Sequence, residues 1–239
     1  MDIPRKITPC PIAEAVIGIN FESNVPSEAV FGIIYGKLGG GYDPKVESLP
    51  ILQIPHAIRK QDPLLRDQPY YKLKSGDFIL QIGPRVLLFA STIKYVGWKE
   101  FSDRMEKIID SISEIGIIKN VSRLGIRYIN FFDFDIYDKI NLKLLMGDKP
   151  FIAEQVTLRS KIEIEDYTST LQIVNKSDMM ISGKKVFGSV IDIDTSIVKK
   201  DGILLKDIKK LMFKGHDEEK KLFFSLLKND YLQSLNPEY

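Results

Sequence analysis

V-S-R-L-G-I-R-Y-I-N, residues 121–130, is the stretch on which the fold turns. Leu124, Ile126 and Tyr128 alternate with Arg123, Gly125 and Arg127, the period of two expected of a strand with one apolar face and one polar face. An echo lies near the N-terminus in P-I-A-E-A-V-I-G-I-N-F, residues 11–21, where Ala13, Ala15, Ile17, Ile19 and Phe21 occupy one parity. Each stretch is followed by a helical pattern, and the pair suggests one module used twice, with Gly18 matched to Gly125.

Working outward from the first strand, the spacing predicts a helix opened by Pro26 or Ser27 and running to Leu38, with Glu28 in its first turn. Gly39, Gly40 and Gly41 stop it. Prolines 44, 50, 55, 63 and 69 keep the next stretch extended or turning, with one short strand over Leu49–Ile54. Tyr70–Lys74, Phe78–Ile82 and Val86–Thr92 read as an antiparallel meander, and Trp98–Ile115 as an amphipathic helix.

The second half repeats the order. After Val121–Phe134 a helix is expected over Asp138–Met146, then strands at Phe151–Glu165, Thr168–Asn175 and Lys185–Ile197. Asp166-Tyr167 and Ser182-Gly183 supply the turns. Two helices, Ile203–Phe213 and Asp217–Leu235, are separated by Gly215. The expected class is therefore α+β: a tandem duplication of a strand-helix-strands-helix module with antiparallel sheets, residues 1–118 and 119–239, joined near Lys119. Such modules meet either in one continuous sheet or across a groove.

Composition bounds the function classes. The 239 residues are 44% hydrophobic and 28% charged, as in ordinary folded proteins. With 34 basic and 32 acidic residues the net charge is +2, so no strong global field attracts nucleic acid. A single cysteine, Cys10, excludes an intramolecular disulfide and fits a reducing cytoplasm. No apolar run has the length of a membrane span. The basic Arg5 and Lys6 precede a run broken by Pro9, Pro11 and Glu14, unlike a signal peptide.

P-I-A-E-A-V (11–16), Q-I-G-P (81–84), Y-V-G-W-x-x-F (95–101), R-L-G-I-R-Y-I-N (123–130), I-D-I-D (191–194) and L-F-F-S-L-L (222–227) follow one another across nearly the whole chain. In that order they resemble a sporadically distributed prokaryotic family of uncharacterised proteins of about this length. The resemblance implies a cytoplasmic bacterial or archaeal protein, and it carries over no catalytic residues.

The leading candidate site is the polar parity of the opening strands. Arg123 and Arg127 share one face, where guanidinium forks can take a carboxylate or phosphate bidentately while Gly125 lets a ligand approach the backbone. Glu14 and Asn20 complete the expected groove. Salt bridges to neighbouring strands are the plain alternative. Arg159, Lys161, Glu163 and Glu165 share a face of one later strand, and Asp192 with Asp194 of another. Cross-strand pairing accounts for these charges, and convergence of Glu163, Asp192 and Asp194 on a divalent cation is the competing possibility, giving a metal-dependent hydrolase or nuclease.

His56 and His216 lack metal-ligand spacing, no G-x-S-x-G elbow accompanies them, and Cys10 between prolines has no nucleophile context. The triple glycine lacks the Lys-Ser/Thr of a phosphate loop. Trp98 reads as a core anchor. The lysines after residue 199 alternate with acids as on a solvated helix. The sequence thus points to a non-catalytic module without a cofactor, binding a small anionic ligand or a protein. Edge strands offer a route to a homodimer.

Overall fold

The structure, a computed structural model, describes residues 2–92, 95–150, 156–181 and 183–239. In chain order its elements are β1 (Ile12–Ser23), α1 (Ser27–Leu38), β2 (Glu47–Ser48), α2 (His56–Gln61), α3 (Pro63–Arg66), β3 (Tyr71–Ser75), β4 (Phe78–Ile82), β5 (Val86–Ser91) and α4 (Trp98–Ile115). There follow β6 (Ile118–Phe132), β7 (Leu145–Met146), β8 (Lys149–Pro150), β9 (Val156–Ile164), β10 (Tyr167–Ile181), β11 (Lys184–Ile203), α5 (Ile208–Leu226) and α6 (Asn229–Ser234).

Nine strands form one antiparallel sheet in the order β2-β3-β4-β5-β1-β6-β11-β10-β9, so the class is α+β and the two halves join edge to edge. Of the two expected junctions, the continuous sheet is the one observed. At that junction Gly18 lies directly opposite Gly125, and Gly125 opposite Ser196.

One face of the sheet is apolar because the strands alternate as their sequences do. Ala15, Ile17, Ile19 and Phe21 of β1 and Leu124, Ile126 and Tyr128 of β6 are all buried. They pack with Val30 and Ile34 of α1, Met105, Ile108 and Ile109 of α4, and Ile208 and Met212 of α5 in one core that draws on both halves. A second core joins Ile173, Ile191 and Ile193 to Phe223, Phe224, Leu232 and, from the N-terminal leader, Ile7. Among the described residues all the long helices lie on this side, and the opposite face of the sheet is bare.

Several elements depart from expectation. Leu49–Ile54 is not a strand: Pro50–Gln53 is a 3₁₀ turn, and Pro55 and Pro63 start α2 and α3, because a proline lacks the N–H that a first helical turn leaves unused. The helix expected over Asp138–Met146 is absent; Ile136–Lys139 is a 3₁₀ turn, and β7 and β8 form a minimal hairpin. The two C-terminal helices divide elsewhere than expected: α5 runs from Ile208 to Leu226 straight through Gly215, the break falls at Leu227–Lys228, and α6 follows. A Cβ there would stand 2.7 Å from Ile126 Cδ1, so the glycine is a close-packing point against β6 and not a break. Residues 151–155 and Ser182, assigned above to a strand and a turn, lie outside the described residues.

The β10–β11 ribbon outgrows its neighbours. Pairing continues from Ser177 opposite Gly188 to Ile181 opposite Lys184, past the last β6 pair at Phe132 and the last described β9 pair at Val156. Met180 and Phe187 on this arm are 66% and 61% exposed. No helix among the described residues is long and apolar enough to cross a membrane.

Candidate functional site

Glu14, Asn20, Arg123 and Arg127 all project from the bare face of the sheet at the β1–β6 junction. Register explains the pairing found there. Arg127 stands opposite Asp194 and Arg123 opposite Val198, yet each side chain leans along the strand to an acid further on. Arg127 donates from Nε and Nη2 to the two carboxylate oxygens of Asp192 at 2.8 and 2.6 Å. Arg123 Nη2 donates to both oxygens of Asp194 at 2.7 Å. Both guanidinium charges are therefore neutralised inside the sheet.

Gly125 is what permits the second pairing. A Cβ at that position would lie 2.5 Å from Arg123 Nη1, so the guanidinium lies flat across the glycine on its way to Asp194. The close approach expected of a ligand is made by the protein's own arginine. Glu14 sits beside these pairs, and burial is the main cause that raises its carboxyl pKa, with Arg127 pulling it down and Asp192 pushing it up. Arg127 is held further toward its charged form, chiefly by the Asp192 hydrogen bonds. Asn20 lies opposite Arg123 on one side and Val86 on the other.

The three acids proposed for a cation do not converge. Glu163 pairs in register with Thr168, and β10 separates it from β11, while Asp192 and Asp194 are held by arginines. Among the described residues no group of three His, Cys, Asp or Glu side chains is placed to hold a metal ion. Arg159 and Lys161 face Gln172 and Thr170, not the expected carboxylates. Glu165, in the β9–β10 turn, bonds Lys214 at 2.7 Å.

A second constellation was not anticipated. His216 of α5 stacks on Trp98 with ring centroids 3.8 Å apart and interplanar angle 8°. Its Nδ1 lies 3.1 Å from the Tyr128 hydroxyl, which is 3.2 Å from that of Tyr95. Burial lowers the His216 pKa to about 3, so the imidazole is neutral and joins the Tyr128 and Tyr95 hydroxyls in one hydrogen-bonded chain. Glu219, one turn along α5, is 4% exposed, and desolvation raises its pKa well above the usual carboxylate value while Lys220 pulls it down. Cys10 interacts electrostatically with both tyrosines, and although the residue is exposed, partial desolvation by its neighbours raises its thiol pKa.

This cluster joins the leader, the segment before α4, β6 and α5 beneath the sheet. Neither of two surface cavities, one along α4 beside Leu38–Tyr42 and one between α1 and α2, reaches it. By tying these elements together its groups act as a polar pin. Its sequence signal was an interruption: Met212, His216, Glu219 and Phe223 form one helical stripe in which two positions are ionisable.

No protein-family model matches the chain, and no curated protein is similar to it.

Proposed function

We propose that this chain is a non-catalytic binding module whose working surface is the helix-free face of its sheet, centred on Glu14, Asn20, Arg123 and Arg127, and that this surface takes a protein partner. The carrying observation is that the arginines are forked to Asp192 and Asp194 yet remain 45% and 32% exposed at the side chain, in the middle of a flat face. Neutralised charges give little affinity for a small free anion, but they can exchange partners across a protein interface, where geometry supplies specificity.

The mirrored strand order about β1–β6, with Gly18 facing Gly125, supports a tandem duplication whose two-fold relation passes through this glycine pair. A bare sheet at the centre of such a duplication offers equal reach to both halves. A reducing cytoplasm suits its single thiol.

A photo-crosslinking residue placed at Thr170 on the bare face, with Lys60 on α2 as control position, tests the proposal in the native cell. Discrete adducts from Thr170 that vanish on Arg127→Glu, with none from Lys60, are the expected result. Adducts equal at both positions, or unchanged by Arg127→Glu, overturn it. Light scattering of the purified protein shows whether the adduct is a second copy.

A further inference from the structure

The nine-stranded sheet ends differently at its two edges. β2 is two residues long and offers little ladder to another chain, whereas β9 runs nine residues, Val156–Ile164, with no proline, no glycine and no bulge in its pairing to β10. Among the described residues nothing pairs with the outer side of β9. A long, regular, uncovered edge is a template for another strand unless its charges forbid one.

The charges of β9 are ordered. Leu158 and Ile162 pack on the second core, so Arg159, Lys161 and Glu163 share the bare face, followed by Glu165 in the turn. Along one parity the strand therefore carries two positive charges and then two negative ones. The β10 residues opposite the first three are Gln172, Thr170 and Thr168, all uncharged, and no described residue forms an ion pair with Arg159, Lys161 or Glu163. Glu165 bonds Lys214 at 2.7 Å. Such an order is self-complementary when the strand meets a copy of itself running antiparallel. The backbone fits the same arrangement. The two-residue turn Glu165-Asp166 closes on the pair Ile164–Tyr167, whose amide groups bond each other, so alternation aims the N–H and C=O of Lys161 and Glu163 at the free side.

We propose that a second copy of this chain docks on β9, edge to edge and antiparallel, about a two-fold axis at Ile162. Lys161 then stands opposite the partner's Glu163, and Glu163 opposite the partner's Lys161, with their outward amide groups completing the ladder. Arg159 lies opposite the partner's Glu165, at each end of the contact. On the helix-bearing face Ile162 meets its own counterpart, which covers a side chain now half-exposed. Moving the axis one residue along the strand sets Lys161 against Lys161 or Glu163 against Glu163, so charge selects the register. The contact uses the sheet's edge and not the β1–β6 surface, and it stands independently of the partner proposed above.

Sedimentation velocity of the wild-type chain should give twice 27.3 kDa at micromolar concentration. Lys161→Glu and Glu163→Lys should each weaken association at least tenfold, the double exchange should restore it, and Arg127→Glu should leave it unchanged. In a Cys10→Ser background, Ile162→Cys should give a disulfide-linked dimer on mild oxidation, because facing residues of a non-bonded antiparallel pair bring their Cα atoms to about 4.5 Å. Ser160→Cys, displaced from its counterpart, should not. A monomer at millimolar concentration, a dimer indifferent to the single reversals or disrupted by Arg127→Glu, a double exchange that fails to restore association, or equal linkage at positions 160 and 162 overturns the proposal. If a reversal fails to fold, the two cysteine variants decide.

Discussion

At Gly125 a missing side chain decides where an arginine goes. A methyl group there would meet Arg123 Nη1 at 2.5 Å and push the guanidinium off Asp194. A partly exposed pair of this kind contributes about 0.5–1 kcal/mol, close to what removing glycine from a strand interior returns. Gly125→Ala should therefore change stability little by itself, yet cancel the cost of Arg123→Ala. A urea double-mutant cycle should show coupling of about 0.5 kcal/mol or more between the two positions; additivity would mean that the pair is immaterial. The buried pin gives a second residue-scale prediction. His216 titrates near 6.5 when unfolded and at about 3 in the fold, so the unfolded chain binds the extra proton and stability falls as pH drops from 6.5 toward 3. Glu219 runs the other way: its folded pKa is raised above the ordinary 4.5, so the folded state holds the extra proton and stability falls as pH rises above 4.5. Between 4.5 and 6.5 the two slopes oppose, each at most about 1.4 kcal/mol per pH unit. Tyr95, Tyr128 and Cys10 face the same cluster and are shifted upward from ordinary values that already lie above this window, while burial shifts Lys220 downward. Glu219→Gln should flatten the alkaline decline and gain on the wild type from pH 5 to pH 8, as measured by denaturant midpoints.

Among the described residues, the β10–β11 arm beyond Asn175 and Ser189 pairs only with itself, and a two-stranded ribbon is marginal in water. Amide hydrogen exchange should find Ser177–Ile181 and Phe187 exchanging in seconds to minutes. Ile191–Ile197, flanked by strands on both sides and covered by α5, should persist toward the global unfolding limit. Equal protection along β11 would mean that something covers the arm. Which elements the sequence disclosed follows the same physics. β1, β6, the β3–β5 meander and α4 were legible because one face of each is buried, and burial writes a period into the residues. Pro55 and Pro63 were misleading because proline is equally at home in an extended segment and at the first turn of a helix. Gly215 was misleading because helix stops and close helix–strand contacts both require a missing side chain, and only the neighbour, here Ile126, distinguishes them.

Across the whole molecule the candidate surfaces separate into what pattern could show and what only proximity could. Arg123, Arg127, Asp192 and Asp194 were visible as a polar parity, since strand alternation puts them on one face. Their mutual pairing depends on β6 and β11 being neighbours, which no local pattern states. The same distinction bears on the two modules. Residues 1–118 and 119–239 each hold a run of sheet, but the larger core takes Ile17, Leu80 and Met105 from the first and Leu124, Ile126 and Met212 from the second. Cutting at the boundary would expose β1 along its whole β6 edge and leave Leu124, Ile126 and Tyr128 without α4 and its neighbours. Each buried side chain of this size contributes about 1.5–3 kcal/mol, so losing a handful exceeds the stability of a typical domain. Neither fragment should fold cooperatively alone, and mixing or co-expressing both should restore a single unfolding transition, read by circular dichroism and NMR dispersion. If residues 1–118 give a dispersed spectrum and a sharp thermal transition in isolation, the halves are independent domains in contact, and the shared core contributes less than its burial implies.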